Sequence, residues 1–299
     1  MADDDTLLFE QGMAALEKGA YEEANQLLTQ CYLNKKTFRL NFLLATSLAR
    51  SGAFKDAAEL AEEYLIEYLK NNEYFKKYIL FNTGARRFIY LKKLLCSIDA
   101  YLSDKERTNF VELLTEEEER YTKANTQKLA KMRKEIMHCG QGAVYEQRSL
   151  FQKAYFLPSS LFIQVGEYLL NDPDIHPLIK SNILDDLRIL NISQEISFSS
   201  LDGQKHVVIP ARLHALEETA VYAYFKDKLQ QSDNLVLRDK QWNEVKLQLI
   251  ILYPYEKKIV QPSELWLQVL LCEKQVTGFS MQIQNWLGLL RKELLAWQI

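Results

Sequence analysis

Gly12-Met13-Ala14-Ala15-Leu16-Glu17-Lys18-Gly19-Ala20-Tyr21-Glu22-Glu23-Ala24 decides the reading of this chain, because its pattern returns further on. The second occurrence runs from Ala45 and ends Arg50-Ser51-Gly52-Ala53-Phe54-Lys55-Asp56-Ala57. Gly19, Tyr21 and Ala24 thus recur as Gly52, Phe54 and Ala57, all at one constant offset. A blurred third copy is marked by Gly84, which follows Gly52 at almost the same interval. A fixed period of about 34 residues with a helix–turn–helix layout is the signature of a helical repeat.

Each copy opens with an apolar helix: Leu7, Leu8, Met13 and Leu16 in the first, Leu40, Leu43, Leu44 and Leu48 in the second. Glycine follows where the chain leaves the helix, since it reaches the left-handed region without a Cβ penalty. A second helix then brings an aromatic (Tyr21, Phe54) back onto the first. Ala24 and Ala57 fall where two helices approach closely and a larger side chain would part them.

The pattern resembles the tetratricopeptide repeat family on Gly12, Gly19, Tyr21 and Ala24 in copy one, and on Ala45, Gly52, Phe54 and Ala57 in copy two. It covers residues 5–102, with Leu8 where the family has an early Trp and Lys36 where it has a late Pro. The resemblance implies stacked antiparallel helix pairs whose first helices line a groove. Its groove positions map to Phe9 and Met13, then Arg39, Phe42, Thr46 and Arg50, then Tyr74, Tyr78 and Asn82. Aromatic residues with two arginines are typical of binding hot spots. The implied partner is a protein or peptide segment, anchored on Phe42, Tyr74 and Tyr78, with Arg39 and Arg50 pairing its acids. The family's clamp for a C-terminal carboxylate needs Lys and Asn where this chain has Phe9 and Met13, so that specificity is not carried over. The alternative is that Phe9, Phe42 and Tyr78 pack against neighbouring helices or the C-terminal part of the chain.

With 299 residues, 47% of them hydrophobic and 26% charged, the composition is that of a soluble globular protein of one or two domains. A net charge of −3 gives no electrostatic case for nucleic acid. The acidic start, Met1-Ala2-Asp3-Asp4-Asp5, is unlike a secretory signal. The longest apolar run, Leu247 to Tyr253, is too short for a membrane span. Cys31, Cys96, Cys139 and Cys272 are scattered and read as small apolar residues. A cytoplasmic protein is expected, with free thiols.

No proline occurs before Pro158, as suits a run of helices. Helices are expected near 6–18, 20–34, 37–51, 53–70, 72–82 and 86–102. Ser103-Asp104 reads as an N-cap for a charged helix reaching His138, with Leu129, Met132, Ile136 and Cys139 as its apolar stripe. A further helix follows Gly140-Gln-Gly142 at 143–156. Two units are expected, 1–157 and 158–299. In the second, helices are expected near 159–170 and 175–190. Alternation in Glu195–Leu201 and β-branching in Lys205–Ile209, around Asp202-Gly203, predict a hairpin that must pack on helices. Helices near 212–231, 239–253, 262–275 and 281–298 complete the chain. All four Trp (Trp242, Trp266, Trp286, Trp297) lie in this part. The layout, with His176-Pro177-Leu178-Ile179-Lys180 and a later hairpin, is similar to uncharacterised repeat proteins of Gram-positive bacteria, a likeness that implies no activity.

No motif for phosphate, dinucleotide, nucleophilic or zinc chemistry is present. His138, His176, His206 and His214 are far apart, with no cysteine or carboxylate at metal-ligand spacing. His176 before Pro177 reads as a helix opening. Adjacent Asp185 and Asp186 point about 100° apart on a helix and form no dyad. Arg86-Arg87 with Phe88 and Tyr90 could stack on a nucleotide, or be a snorkelling helix start.

The expected fold is mostly α: antiparallel helix pairs, then a helical unit with one small β-hairpin. The expected function is a non-enzymatic adaptor or scaffold, with no catalytic residue, cofactor or metal. One alternative is a homodimer with a self-filled groove. Another is an enzyme with its site around His176, Lys180, His206 and His214.

Overall fold

The computed structural model describes residues 2–230, 235–271 and 281–297. The fold is mostly α, with one two-stranded antiparallel sheet among the described residues. It forms two compact units, residues 1–129 with 155–159, and residues 130–154 with 160–299.

The N-terminal unit contains α1 (Ala2–Glu17), α2 (Tyr21–Asn34), α3 (Phe38–Arg50), α4 (Phe54–Glu62), a short α5 (Leu65–Leu69), α6 (Asn72–Gly84), α7 (Phe88–Ile98) and α8 (Asp104–Ala124). Helices α1 to α4 pack each on the next, and α4 then packs on α6. Ala24, Ala45 and Ala57 are fully buried at the close approaches. Gly19 and Gly52 take φ of +77° and +86° between the helices of their pairs. The third copy keeps this geometry without glycine: Arg86 holds φ +61°. Its N–H donates to Thr83 and that of Arg87 to Asn82, closing the helix end. The left-handed position of the repeat therefore passes from Gly52 to Arg86, and Gly84 is not its turn residue.

Gly84 instead makes room between repeats. A Cβ there would lie 2.2 Å from Cδ1 of Phe54, against the body of the ring. Gly84→Ala is expected to cost about 1–3 kcal/mol through forced repacking. Chemical denaturation would read this as a lowered midpoint, and an unchanged midpoint would show that Phe54 moves aside freely.

The single helix expected over 53–70 is interrupted at Glu63 and Tyr64. Side chains of α3 and α2 take the α4 end: the Asn41 amide donates to the Leu60 carbonyl at 2.7 Å, and Tyr32 donates to Glu63 at 2.9 Å. The break itself is closed by tighter local bonds, Glu63 N–H to the Leu60 carbonyl and Tyr64 N–H to the Ala61 carbonyl. The charged helix expected to reach His138 is likewise divided at Asn125, into α8 and α9 (Thr126–Met137). Ser103 caps α8 as expected, in a capping box with Glu106.

The C-terminal unit contains α10 (Val144–Gln152), α11 (Ser159–Asn171) and α12 (Pro177–Ile189). After β1 (Ile196–Ser199) and β2 (Lys205–Val208) come α13 (Ala220–Gln230), α14 (Leu235–Leu252), α15 (Glu256–Ile259), α16 (Ser263–Leu271) and α17 (Met281–Trp297). Ile196 pairs with Val208 and Ser199 with Lys205. The strands are joined by the longer loop 200–204 rather than by Asp202-Gly203 alone. Asp202 holds this loop, accepting from the Ser200 hydroxyl and the Gln204 N–H. Ile196 and Phe198 are buried, so one face of the hairpin packs inward. Trp266 is buried on α16, its indole N–H donating to Gln248 of α14.

The helix expected over 212–231 begins only at Ala220, after two short 3₁₀ turns. Cys31 and Cys139 are buried and Cys96 is exposed. Cys272, residues 231 and 298, and the end of the helix expected over 262–275 lie outside the described residues. No helix among the described residues is long and apolar enough to cross a membrane.

Candidate functional site

The first helices of the three pairs, α1, α3 and α6, share a row of side chains. The Arg39 guanidinium lies 5.0 Å from the Phe9 ring centroid, linking α1 to α3. One turn along α3, Phe42 meets Tyr74 of α6 at 4.8 Å between ring centroids. Phe38 adds an edge contact to Tyr74 at 5.1 Å. Arg39 is exposed, Tyr74 is 37% exposed, and Phe9 and Phe42 are half-buried. Phe9, Arg39, Phe42 and Tyr74 thus form one continuous surface strip across three helices.

Other groove candidates lie elsewhere or are already engaged. Tyr78 and Asn82 are fully buried. Tyr78 packs on Phe75 and Tyr68, with its hydroxyl 2.7 Å from that of Tyr90. The Asn82 amide donates to the Tyr78 carbonyl at 2.9 Å. Thr46 is half-buried, and its hydroxyl donates to the Phe42 carbonyl one turn back. Met13 is half-buried, and Arg50 is exposed in the last turn of α3, where a cation complements the helix end.

A chain of polar groups runs inward from the exposed Lys36 and Glu63 to the buried Asn41 and Tyr68. Lys36 pairs with Glu63 at 3.2 Å, Tyr32 donates to Glu63, Asn41 donates to Tyr32, and Tyr68 donates to Asn41. The hydrogen bond from Tyr32, with Lys36 beside it, holds the Glu63 carboxyl below the usual range, and burial pushes the Tyr32 phenol up to about 12. Every member has partners inside the fold, so this chain reads as structure. Tyr68 belongs to the apolar stripe Ala57, Leu60, Ala61, Tyr64, Leu65 and Tyr68 that the sequence shows, whereas Phe38 was legible only as a position one turn before Phe42 on the same helical face.

Arg86 and Arg87 do not offer free stacking surfaces. Arg87 lies 4.1 Å over Tyr90 and bridges to Glu62 at 2.9 Å, while Arg86 lies 5.7 Å over Phe156. Phe88 is buried.

In the C-terminal unit the structure separates the candidate histidines. His176 caps α12, its Nδ1 accepting from the Leu178 N–H at 3.2 Å. The proton therefore sits on Nε2, which donates to the Glu293 carbonyl at 3.0 Å. Burial holds its pKa below the ordinary histidine value, with the Glu293 carboxylate opposing the shift, and His176 serves as a helix cap. His214 is exposed, and its carbonyl accepts from the Tyr253 hydroxyl. Asp185 pairs with Arg188 at 2.8 Å, and Asp186 is buried.

Lys180 and His206 do come together. Both line a cavity of about 240 Å³ under the hairpin, with Ser200, Asp202, Tyr255 and Trp286. His206 Nε2 lies 3.1 Å from Ser200 Oγ, and Ser200 in turn donates to Asp202. Serine therefore accepts from histidine and gives its own proton to aspartate. A nucleophilic serine needs the opposite arrangement, with aspartate on the histidine and histidine taking the serine proton. The trio braces the loop. Among the described residues, no cluster of three or more His, Cys, Asp or Glu has the arrangement of a metal site.

No family model, no curated protein and no solved structure matches this chain.

Proposed function

We propose that the chain is a non-enzymatic, cytoplasmic adaptor whose N-terminal helix pairs are of tetratricopeptide type. In this reading it holds an extended peptide segment along α1, α3 and α6. The observation that carries the reading is the Phe9–Arg39–Phe42–Tyr74 strip, which crosses three helices without a break. Aromatic faces with a nearby guanidinium suit a segment carrying an apolar anchor flanked by acidic residues. Arg39 and Arg50, both exposed, supply the charge complementarity. Tyr78 and Asn82, being buried, take no part.

The test is selection from a displayed peptide library, followed by affinity measurement on the enriched peptides. Acidic peptides with an aromatic or leucine anchor should be enriched. An Arg39→Glu/Arg50→Glu variant should bind them about tenfold or more weakly, and added salt should narrow the gap. Both substitutions are on the surface and should leave the fold intact. Equal affinity for wild type and variant, or no enrichment, would remove the strip from consideration.

A further inference from the structure

Lys180 is placed badly for a lysine with nothing to bind. It is only 7% exposed and lies in the first turn of α12. A cation there is opposed by burial and by the positive end of the helix dipole. The one hydrogen-bond partner of its ammonium among the described residues is the Ser199 carbonyl, at a long 3.4 Å. No described carboxylate comes within salt-bridge distance of its ammonium. Buried charges are ordinarily paired, and here the space beside the charge is a cavity.

That cavity is built on one face of α12, where Pro177, Lys180, Ser181 and Leu184 follow helical spacing. Its size, about 240 Å³, equals the liquid volume of about eight waters at ~30 Å³ each. Flat surfaces line it. Phe198 and Tyr255 are nearly parallel, 13° apart at 6.0 Å, and His206 lies 4.5 Å from Tyr255. The one lining carboxylate, Asp202, is engaged with Ser200 and Gln204 of its own loop. The site thus offers one buried positive charge, planar ring walls and hydroxyl and amide groups from Ser181, Ser200 and Gln204.

We infer that this cavity binds a small organic carboxylate with a flat apolar body, its anionic head beside the Lys180 ammonium. Lys180 is the one buried charge there; Lys258, which also lines the cavity, is exposed, and neither lysine offers the arginine fork that grips phosphate bidentately. Burial draws the Lys180 pKa below the ordinary lysine value, with Asp172 and Asp174 opposing the shift from a distance. An anion seated beside it would favour the charged form. This site lies in the C-terminal unit and does not depend on the peptide-binding strip.

The test is a fluorine NMR titration of the full chain with 4-fluorobenzoate, 4-fluorobenzamide and 4-fluorophenyl phosphate. Saturable millimolar or tighter binding of the benzoate is expected. The uncharged amide and the phosphate should each bind at least about tenfold more weakly. Lys180→Met should lose the benzoate by a similar factor while remaining folded, since it removes an unpaired buried charge at nearly constant shape. Leu184→Trp should block the cavity with Lys180 retained, and serves if the first variant unfolds. Absence of saturable benzoate binding would overturn the inference. So would equal binding of the amide, tighter binding of the phosphate, or undiminished binding by folded Lys180→Met.

Discussion

Tyr78→Ala is expected to lower the stability of the N-terminal unit by about 3–5 kcal/mol, the range for truncating a large buried side chain. Tyr78 is fully buried and packs on Phe75 and Tyr68, while its hydroxyl pairs with Tyr90. Tyr78→Phe keeps the ring and should cost only about 1 kcal/mol, for the lost hydrogen bond. Tyr74→Ala, at a partly exposed position, should fall well below Tyr78→Ala. Urea denaturation followed by circular dichroism separates the three. Equal midpoints for Tyr78→Ala and wild type would show that Tyr78 is not core. The expected order also determines which residues can probe binding. Loss of a partner in Tyr78→Ala would report unfolding, whereas loss in Arg39→Glu/Arg50→Glu would report recognition.

Glu118→Leu is expected to destabilise the same unit by about 2 kcal/mol or more, chiefly by leaving a buried N–H unpaired, with the loss of a half-buried ion pair added. Glu118 is 7% exposed on α8. It accepts from the Ser159 N–H at 2.9 Å and from the Ser159 hydroxyl, and pairs with Lys92 of α7 at 3.0 Å. Lys92 also donates to Ser159 Oγ. Leucine would leave the buried Ser159 N–H without an acceptor and the one-third-exposed Lys92 without its carboxylate. Lys92→Met/Glu118→Leu should be less destabilised than Glu118→Leu alone, because the unpaired charge is gone. A double-mutant cycle reads that coupling directly. A coupling near zero would mean that Lys92 and Glu118 are each solvated separately.

The error in the third repeat shows where sequence reading met its limit. The sequence aligns Gly84 with Gly52, whereas the structure aligns Arg86 with it. A slip of two positions turns a helix by about 200°, which exchanges its inner and outer faces. The alignment on Gly84 therefore places Tyr78 and Asn82 on the groove, whereas both are buried. In the register set by Arg86, Tyr78 and Ile79 fall on Leu44 and Ala45, and all four are buried. The signal was present in Phe88, which stands to Arg86 as Phe54 stands to Gly52, but Gly84 outweighed it. Tyr74 reached the surface strip for a different reason, its contact with Phe42 across two helices.

The sequence by itself determined the features that local chemistry controls. Gly19 and Gly52 stand at left-handed helix ends because the missing Cβ makes that conformation inexpensive. Ala24 and Ala57 are buried because only small side chains fit the close approaches. Ser103 and His176 cap helices through atoms within a few residues of their own backbone. The β-hairpin followed from alternation and a turn signal. Tertiary structure alone decided the rest, because it depends on groups distant in sequence. Arg86 adopts φ +61° without glycine, a conformation costing roughly 1–3 kcal/mol that only the surrounding packing can offset. Helices break at Tyr64 and Asn125 with neither glycine nor proline to announce it. Lys180 is left without a described carboxylate at salt-bridge distance, in a cavity lined by residues as distant in the chain as Tyr255 and Trp286. No local pattern records such an encounter, since burial and charge pairing arise only when the chain has brought its helices together.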